Sequence, residues 1–329
     1  MNIWQTFLNF LDKQELEIPE YVKDGFGMIE VAPTEEDYVL GGKKQALKII
    51  LSPERDYTDW LPAPESQKRG YDSFSCVVFS GLNNLEIIFK KQFGFEINWS
   101  DRYLAALTPV KPGRGTSYRL FWDAVRKYGL VLEEELPWGG KSGYEYVSKK
   151  AAEPFVPKGK LFVDEYDIQH EWVDSGGCDP NVLYEALQYG PLQASVNGAA
   201  TYTKKRDRRI NHSITIYKAI KGKKFYILDH YTRETYDLPW NFHFGSAKQA
   251  SLIKKKIVQL VQMPYLKDRD EAAKIYAIYG TTACHISDEY TWHYGDKIGI
   301  WKAEKIIGIT KRTFDNRFVI GDQLSFKNI

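Results

Sequence analysis

Apolar positions recur at helical spacing in the stretch CVVFSGLNNLEIIF. Val77, Val78, Leu82, Leu85, Ile88 and Phe89 predict a helix that begins at or next to Cys76. A turn-rich segment from Gln67 leads into it. Ser100-Asp101 is an N-cap pair that opens a second helix ending at Leu107. Ser117–Tyr128 predicts a third, with Leu120, Phe121, Ala124 and Val125 on one side and Gly129 at its C-cap. A short amphipathic helix is expected near residues 3–14 and a strand around Ala46–Leu51. Residues 59–66 and 109–116 read as loops, and 130–160 as irregular. From Leu161 the period changes to two: LFVDEYDI alternates and predicts a strand. A helix over Asp179–Gln188, with Pro180 near its start, comes next. Strands follow at Leu192–Val196, Ser213–Ile220 and Lys224–Leu228, the last two joined through Lys221-Gly222-Lys223 as a hairpin. Residues 250–264 add another strand, and short β-like runs at Ile275–Tyr279, Lys305–Thr310 and Phe318–Ile320 fill the C-terminal part. Helices first and antiparallel strands second is an α+β order.

Composition narrows the class. The 329 residues are 43% hydrophobic and 27% charged, as in ordinary globular proteins. A net charge of +2 gives no global attraction to nucleic acid. No run of 18 apolar residues occurs, so no membrane insertion is expected. The N-terminus has neither a basic leader nor an uninterrupted apolar core, so a cytoplasmic, reducing setting is expected. Cys76, Cys178 and Cys284 are too few and too scattered for a disulfide framework. No spacing suits a metal, so no metal and no cofactor is expected. Cys284 and His285 are neighbours in a strand-like run and would point to opposite faces.

That leaves Cys76 as the candidate nucleophile. At a helix start, free N–H groups and the positive end of the dipole favour a thiolate. The plainer reading is a small buried apolar residue. A thiolate nucleophile needs a base and an orienting group. His212 stands 136 residues downstream at the mouth of a strand, and Asp229 stands 17 residues beyond it at the end of the hairpin. The basic run TKKRDRR, Thr203–Arg209, precedes His212; it would draw an acidic substrate or partner, or else is a solvated loop.

With these residues in place the chain resembles the papain-like cysteine peptidases. Asp59-Trp60 resembles the start of that family's mature domain, and Ser75-Cys76-Val77-Val78-Phe79-Ser80 its S-C-W-A-F-S run. Asp123–Trp138 is similar to the segment leading to its S-Y-P-Y turn, and Gly190–Val196 to its G-P-V-S-V-A-I strand. Asn211-His212-Ser213-Ile214 matches N-H-A-V, and Tyr226–Tyr231 falls where the family has W-I-V-K-N-S-W. The landmarks run in family order from Asp59 to Met263.

The resemblance implies a two-lobed α+β fold, a helical left lobe against an antiparallel β right lobe, over 59–264. A small β-rich accessory module would occupy 265–329. Residues 1–58 would be an inhibitory pro-segment or a structural extension; the missing long helical pattern favours the extension. The implied activity is endopeptidase cleavage of a protein or peptide through a thioester. Cys76 would be the nucleophile, His212 the base and acid, and Asp229, in place of the usual Asn, the orienting group. Tyr231 would cover this triad in place of the family's Trp. Gln67 would complete the oxyanion hole, though it lies nine residues before Cys76 where the family has its Gln at six. Phe74 stands where the family has a glycine. The variant look is similar to viral and bacterial relatives, which implies a phage or virion-associated protein with an assembly partner for the C-terminal module. The alternative is an inactive scaffold that keeps the fold. NlpC-like cell-wall peptidases, with a much shorter Cys–His separation, rank below both.

Overall fold

The structure is a computed structural model. It describes residues 27–254, apart from 43–45, 47–48, 69–70, 109, 111–112 and 233, and the strand backbones at 259–262, 275–279, 282–285, 306–308 and 319–320. The helix expected near 3–14 lies outside the described residues. The chain divides into two units: Met1–Lys160 with Ile168–Leu252, and Leu161–Asp167 with Ile253–Ile329.

The first unit is built on helix α1, Cys76–Phe93. All fourteen residues from Cys76 to Phe89 are buried, polar ones included. A helix buried all round needs internal partners for its polar side chains. Asn84 Nδ2 donates to the Ser80 carbonyl at 2.7 Å. Glu86 accepts from the Trp99 amide at 3.0 Å. Burial lifts the Glu86 carboxyl to about 8, so it stays protonated at neutral pH. Gly94 ends the helix in the left-handed region at φ 82°. Helices α2, Asp101–Leu107, and α3, Tyr118–Tyr128, follow, with the Ser100 and Ser117 side chains capping the amides of Tyr103 and Leu120. The stretch expected to be irregular instead forms short helices: α4, Gly143–Tyr146; α5, Lys149–Ala152; and α6, Val156–Glu165.

Helix α6 corrects the strand expected from Leu161. Strand β1 starts only at Tyr166 and runs to Ser175. Phe162 and Tyr166, four residues apart, stack with ring centroids 4.9 Å apart. The pair spans the junction, Phe162 in the last turn of α6 and Tyr166 the first residue of β1, at a four-residue spacing that the alternating pattern hid. The strand expected at Ala46–Leu51 is also not seen: described residues 46 and 49–51 are irregular, and Leu51 donates to the Gln188 carbonyl at 2.9 Å.

Beyond α7, Pro180–Ala186, three strands of the sheet lie where the period-two pattern placed them; the strand at 234–239 was not expected, and the single strand expected over 250–264 is instead two, Ser246–Lys254 in this sheet and Gln259–Gln262 in the other. The first sheet comprises β2, Leu192–Val196; β3, His212–Ile220; β4, Lys224–Asp229; β5, Glu234–Pro239; and β6, Ser246–Lys254, with β1. Their order is β1-β6-β2-β3-β4-β5. Antiparallel register sets Val196 opposite His212, Ser195 opposite Ser213 and Leu228 opposite Thr215. Gly222, at φ 71°, makes the hairpin turn. A short helix, α8, Gly198–Thr203, links β2 to the basic run. The sheet's core gathers Leu183, Leu192, Ala194, Val196, Ile214, Ile216, Phe225 and Ile227, all fully buried.

Helix and sheet meet through a buried polar seam. Gln193 Nε2 donates to the Val77 carbonyl at 2.7 Å, and its Oε1 accepts from Trp122 Nε1 at 2.9 Å. Ser80 and Ser213 hydroxyls pair at 2.7 Å. These bonds fix the first turn of α1 against the start of β3, which sets the spacing of Cys76 and His212.

In the second unit, β7, Gln259–Gln262; β8, Ile275–Tyr279; β9, Thr282–His285; β10, Ile306–Gly308; and β11, Val319–Ile320, form a sheet ordered β10-β7-β8-β9-β11. Its centre is antiparallel, and both outer pairings are parallel.

Candidate active site

The site begins with a strained turn. Phe74 holds φ +54°, a conformation that costs a residue with a Cβ. The Asp72 carboxylate supports it, accepting the Phe74 amide at 2.9 Å on Oδ1. The turn delivers Cys76 as the first residue of α1. Its thiol is fully buried. Burial pushes the thiol well above its usual 9.0, and the Asp72 and Asp229 charges push it further. Backbone N–H groups of Ser213 and Val77 work the other way by stabilising the anion. The Ser213 amide, next to His212, is thus near enough to act on the thiol.

His212 opens β3 and is buried. Its Nε2 lies 3.0 Å from Asp229 Oδ1 at the end of β4. Burial raises the Asp229 carboxyl, but the His212 ring outweighs it and brings the group down to about 2. An ionised carboxylate only accepts, so Nε2 carries the proton of this bond. Asp229 also accepts the Tyr231 amide at 2.8 Å and the Tyr236 hydroxyl at 2.9 Å. Tyr231 stands edge-on to the His212 ring, centroids 5.9 Å apart at 87°, and its hydroxyl donates to Asp72.

Gln67 is fully buried in the same loop. Its amide N–H donates to the His230 carbonyl at 3.1 Å, and its side-chain Nε2 donates to Asp72 Oδ1 at 3.0 Å. Loop and hairpin end are thus bonded together beside the cysteine turn.

Sequence reasoning missed Asp72, Tyr236 and His230. Asp72 gathers Gln67, Phe74 and Tyr231, but it sits in a segment without periodicity. Tyr236 follows Asp229 on the next strand, where the Leu228–Thr235 register brings it back. His230 stacks on Phe79 at 5.4 Å, and among the described residues neither of its ring nitrogens has a hydrogen-bond partner. Burial, with His212 nearby, brings its pKa down to about 3, so the ring is neutral. Among the described residues, His212, Asp229 and His230 are a group able to hold a metal ion, their ligand atoms within 4.8 Å of one another. No helix among the described residues is long and apolar enough to cross a membrane.

Compared with protein-family models and with curated proteins, the sequence finds no match. Solved structures do match. The recombinant stem bromelain precursor superposes with a TM-score of 0.53 at 12% identity, over 75% of this chain and 86% of its own. Procathepsin L 3 of Tenebrio molitor larval midgut gives 0.50 at 15%, over 74% and 80%. Procathepsin L2 from the same tissue gives 0.50 at 14%, over 70% and 79%. The chain has the fold of the papain-like cysteine proteases.

Proposed function

We propose that the chain is a cysteine endopeptidase that cleaves protein substrates through a Cys76-His212-Asp229 triad. The observation that carries this reading is the buried hydrogen bond between His212 Nε2 and Asp229, set beside a cysteine at the start of the central helix. Asp229 fixes the tautomer and leaves Nδ1 as the basic nitrogen. Nδ1 takes the thiol proton, and Cys76 Sγ attacks the scissile carbonyl. The carbonyl π-electrons move onto oxygen, where the Cys76 amide and Gln67 Nε2 would donate. The tetrahedral centre collapses, the C–N bond breaks, and the imidazolium gives its proton to the leaving amine. Water, deprotonated by the same nitrogen, then hydrolyses the thioester and regenerates the thiol. Tyr231 covers the triad on the ring's edge and steadies Asp72, which orients the Gln67 amide.

The buried, raised thiol fits a latent form of such an enzyme. Gly27 to Ile29 crosses between the residues that flank the cysteine and the histidine. The Met28 amide donates to the carbonyl of Asn211, the residue before His212, at 3.2 Å. Thr116 donates to the Gly27 carbonyl at 2.9 Å and accepts the Ile29 amide at 2.8 Å. A Cβ on Gly27 would lie 2.2 Å from the carbonyl oxygen of Phe74, two residues before Cys76. An extended substrate needs these same backbone groups. This favours the pro-segment reading of residues 1–58 over a plain extension. All three neighbours named above are themselves precursors.

The inactive-scaffold reading draws on the same raised thiol. Labelling with an epoxide inhibitor of cysteine peptidases, read by mass spectrometry, separates the two. The comparison is made on chains that carry Gly27→Val, whose side chain meets the Phe74 carbonyl and displaces the segment that closes the site. That chain is expected to gain one adduct at Cys76; adding Cys76→Ala should abolish it, and adding His212→Ala should slow it at least about 100-fold. Equal labelling with and without Cys76→Ala would remove Cys76 from the mechanism.

A further inference from the structure

A cavity of about 580 Å³ opens beside the His212 segment, lined by Glu30, Cys178, Arg206, Arg208, Ile210 and His243 among others. Its lining carries two guanidiniums, Arg206 and Arg208, against one carboxylate, Glu30. Arg206 and Arg208 make no ion pair among the described residues, whereas Asp207 between them is held by Arg209 at 2.6 Å. Burial lowers the His243 pKa, and the two guanidiniums lower it further. The imidazole therefore stays neutral beside them. Two cations without partners facing a partly enclosed space attract an anion. Cys178 adds none, because burial raises its thiol far above neutral pH.

The segment Gly27–Glu30, the strap, supplies the complement. Met28 is buried at 6% exposure, and Ile29 and Glu30 beyond it are exposed. The Glu30 carboxylate lines the cavity and accepts from Ser195 Oγ at 3.4 Å. A Cβ on Gly245 would lie 2.6 Å from Glu30 Oε1, so the glycine leaves room for this carboxylate.

We propose that this cavity is a recognition site for an acidic side chain. Glu30 presents one to it in the strapped form. Once the strap has left, Arg206 and Arg208 select protein substrates that carry Asp or Glu two residues from an apolar side chain. The substrate half rests on the peptidase reading; the cavity's preference for a carboxylate does not.

The test uses the full chain and reads alkylation of Cys76 by iodoacetamide through peptide mass spectrometry. Glu30→Lys, and Arg206→Glu with Arg208→Glu, should each speed alkylation about three- to tenfold, because the strap loosens. Combining all three substitutions swaps the charges and should return the rate toward wild type. Unchanged rates, or additive effects without rescue, overturn the proposal. The second arm compares peptides that differ only in Glu against Gln at that position. This arm uses Gly27→Val, in which the added side chain meets the Phe74 carbonyl and displaces the strap. That chain should cleave the Glu peptide about tenfold better, and adding Arg206→Ala with Arg208→Ala should erase the difference by slowing only the Glu peptide. Equal cleavage of the two by Gly27→Val overturns the substrate half. Cleavage of neither by Gly27→Val overturns the peptidase reading, while the alkylation cycle still decides the cavity.

Discussion

At the residue scale, Asp72 is the group that departs furthest from a minimal Cys-His-Asp site. It holds the Gln67 amide, the Phe74 turn and the Tyr231 hydroxyl at once. It also sits close enough to Cys76 for its charge to raise the thiol. A carboxylate there orders the loop, and the same charge opposes the thiolate and any oxyanion. Asp72→Asn keeps the shape and removes the charge. The sign is fixed: losing a nearby anion favours the thiolate, so the thiol pKa falls. The pH profile of Cys76 alkylation is expected to shift to lower pH in Asp72→Asn. A profile that stays put, or moves up, would show that Asp72 acts through shape alone. None of this was legible in KRGYDS, where no period and no neighbour marks one carboxylate as special. Cys76, His212 and Asp229 stand out as candidates in the sequence because each sits at one end of a strongly patterned element. Whether Gln67 reaches an oxyanion depends on a loop whose course the pattern does not encode.

At the element scale, the structure follows the sequence where burial is uniform or strictly alternating, and departs where two periods coexist. β2 is buried at every position and is bounded by Pro191 and the Asn197 cap, so its limits were readable. The alternation in LFVDEYDI hid the Phe162–Tyr166 pair, and the helix that starts at Val156 runs on through Glu165. Helix α1 shows a different constraint. Gly81 faces α3, and a Cβ there would lie 2.2 Å from the Phe121 ring, which is itself fully buried. Helix propensity favours Gly81→Ala by about 1 kcal/mol, while overpacking a closed core costs about 1–3 kcal/mol. The clash is the larger effect, because Phe121 has no solvent-side space to turn into. Gly81→Ala is expected to lower stability by about 1 kcal/mol in urea unfolding, and a stabilised variant would mean that the two helices separate readily.

At the scale of the whole molecule, the open question is what keeps the site closed. Cys76, His212 and Asp229 are all buried at 1% exposure or less. On the proposed peptidase reading an extended chain must reach Cys76, so something has to leave. Gly27–Ile29 is bonded to Asn211, the residue before His212, and to Thr116, and its Gly27 packs against the Phe74 carbonyl, two residues before Cys76. Its pairing with Thr116 and Asn211 joins positions far apart in sequence, and no local pattern announces such a pairing. Gly27 is the point at which it can be tested. It holds φ +90°, and a Cβ would meet the Phe74 carbonyl at 2.2 Å, backbone that cannot rotate away. Gly115 is equally tight, its added Cβ falling 1.7 Å from the Gly27 carbonyl oxygen. Gly27→Val should therefore unseat the strap and leave the helices and sheet intact. Alkylation of Cys76 is expected to rise at least about tenfold, with the thermal midpoint of the protein little changed. If the rate stays at the wild-type value while the protein remains folded, the strap does not control access, and residues 1–58 are an extension of the scaffold.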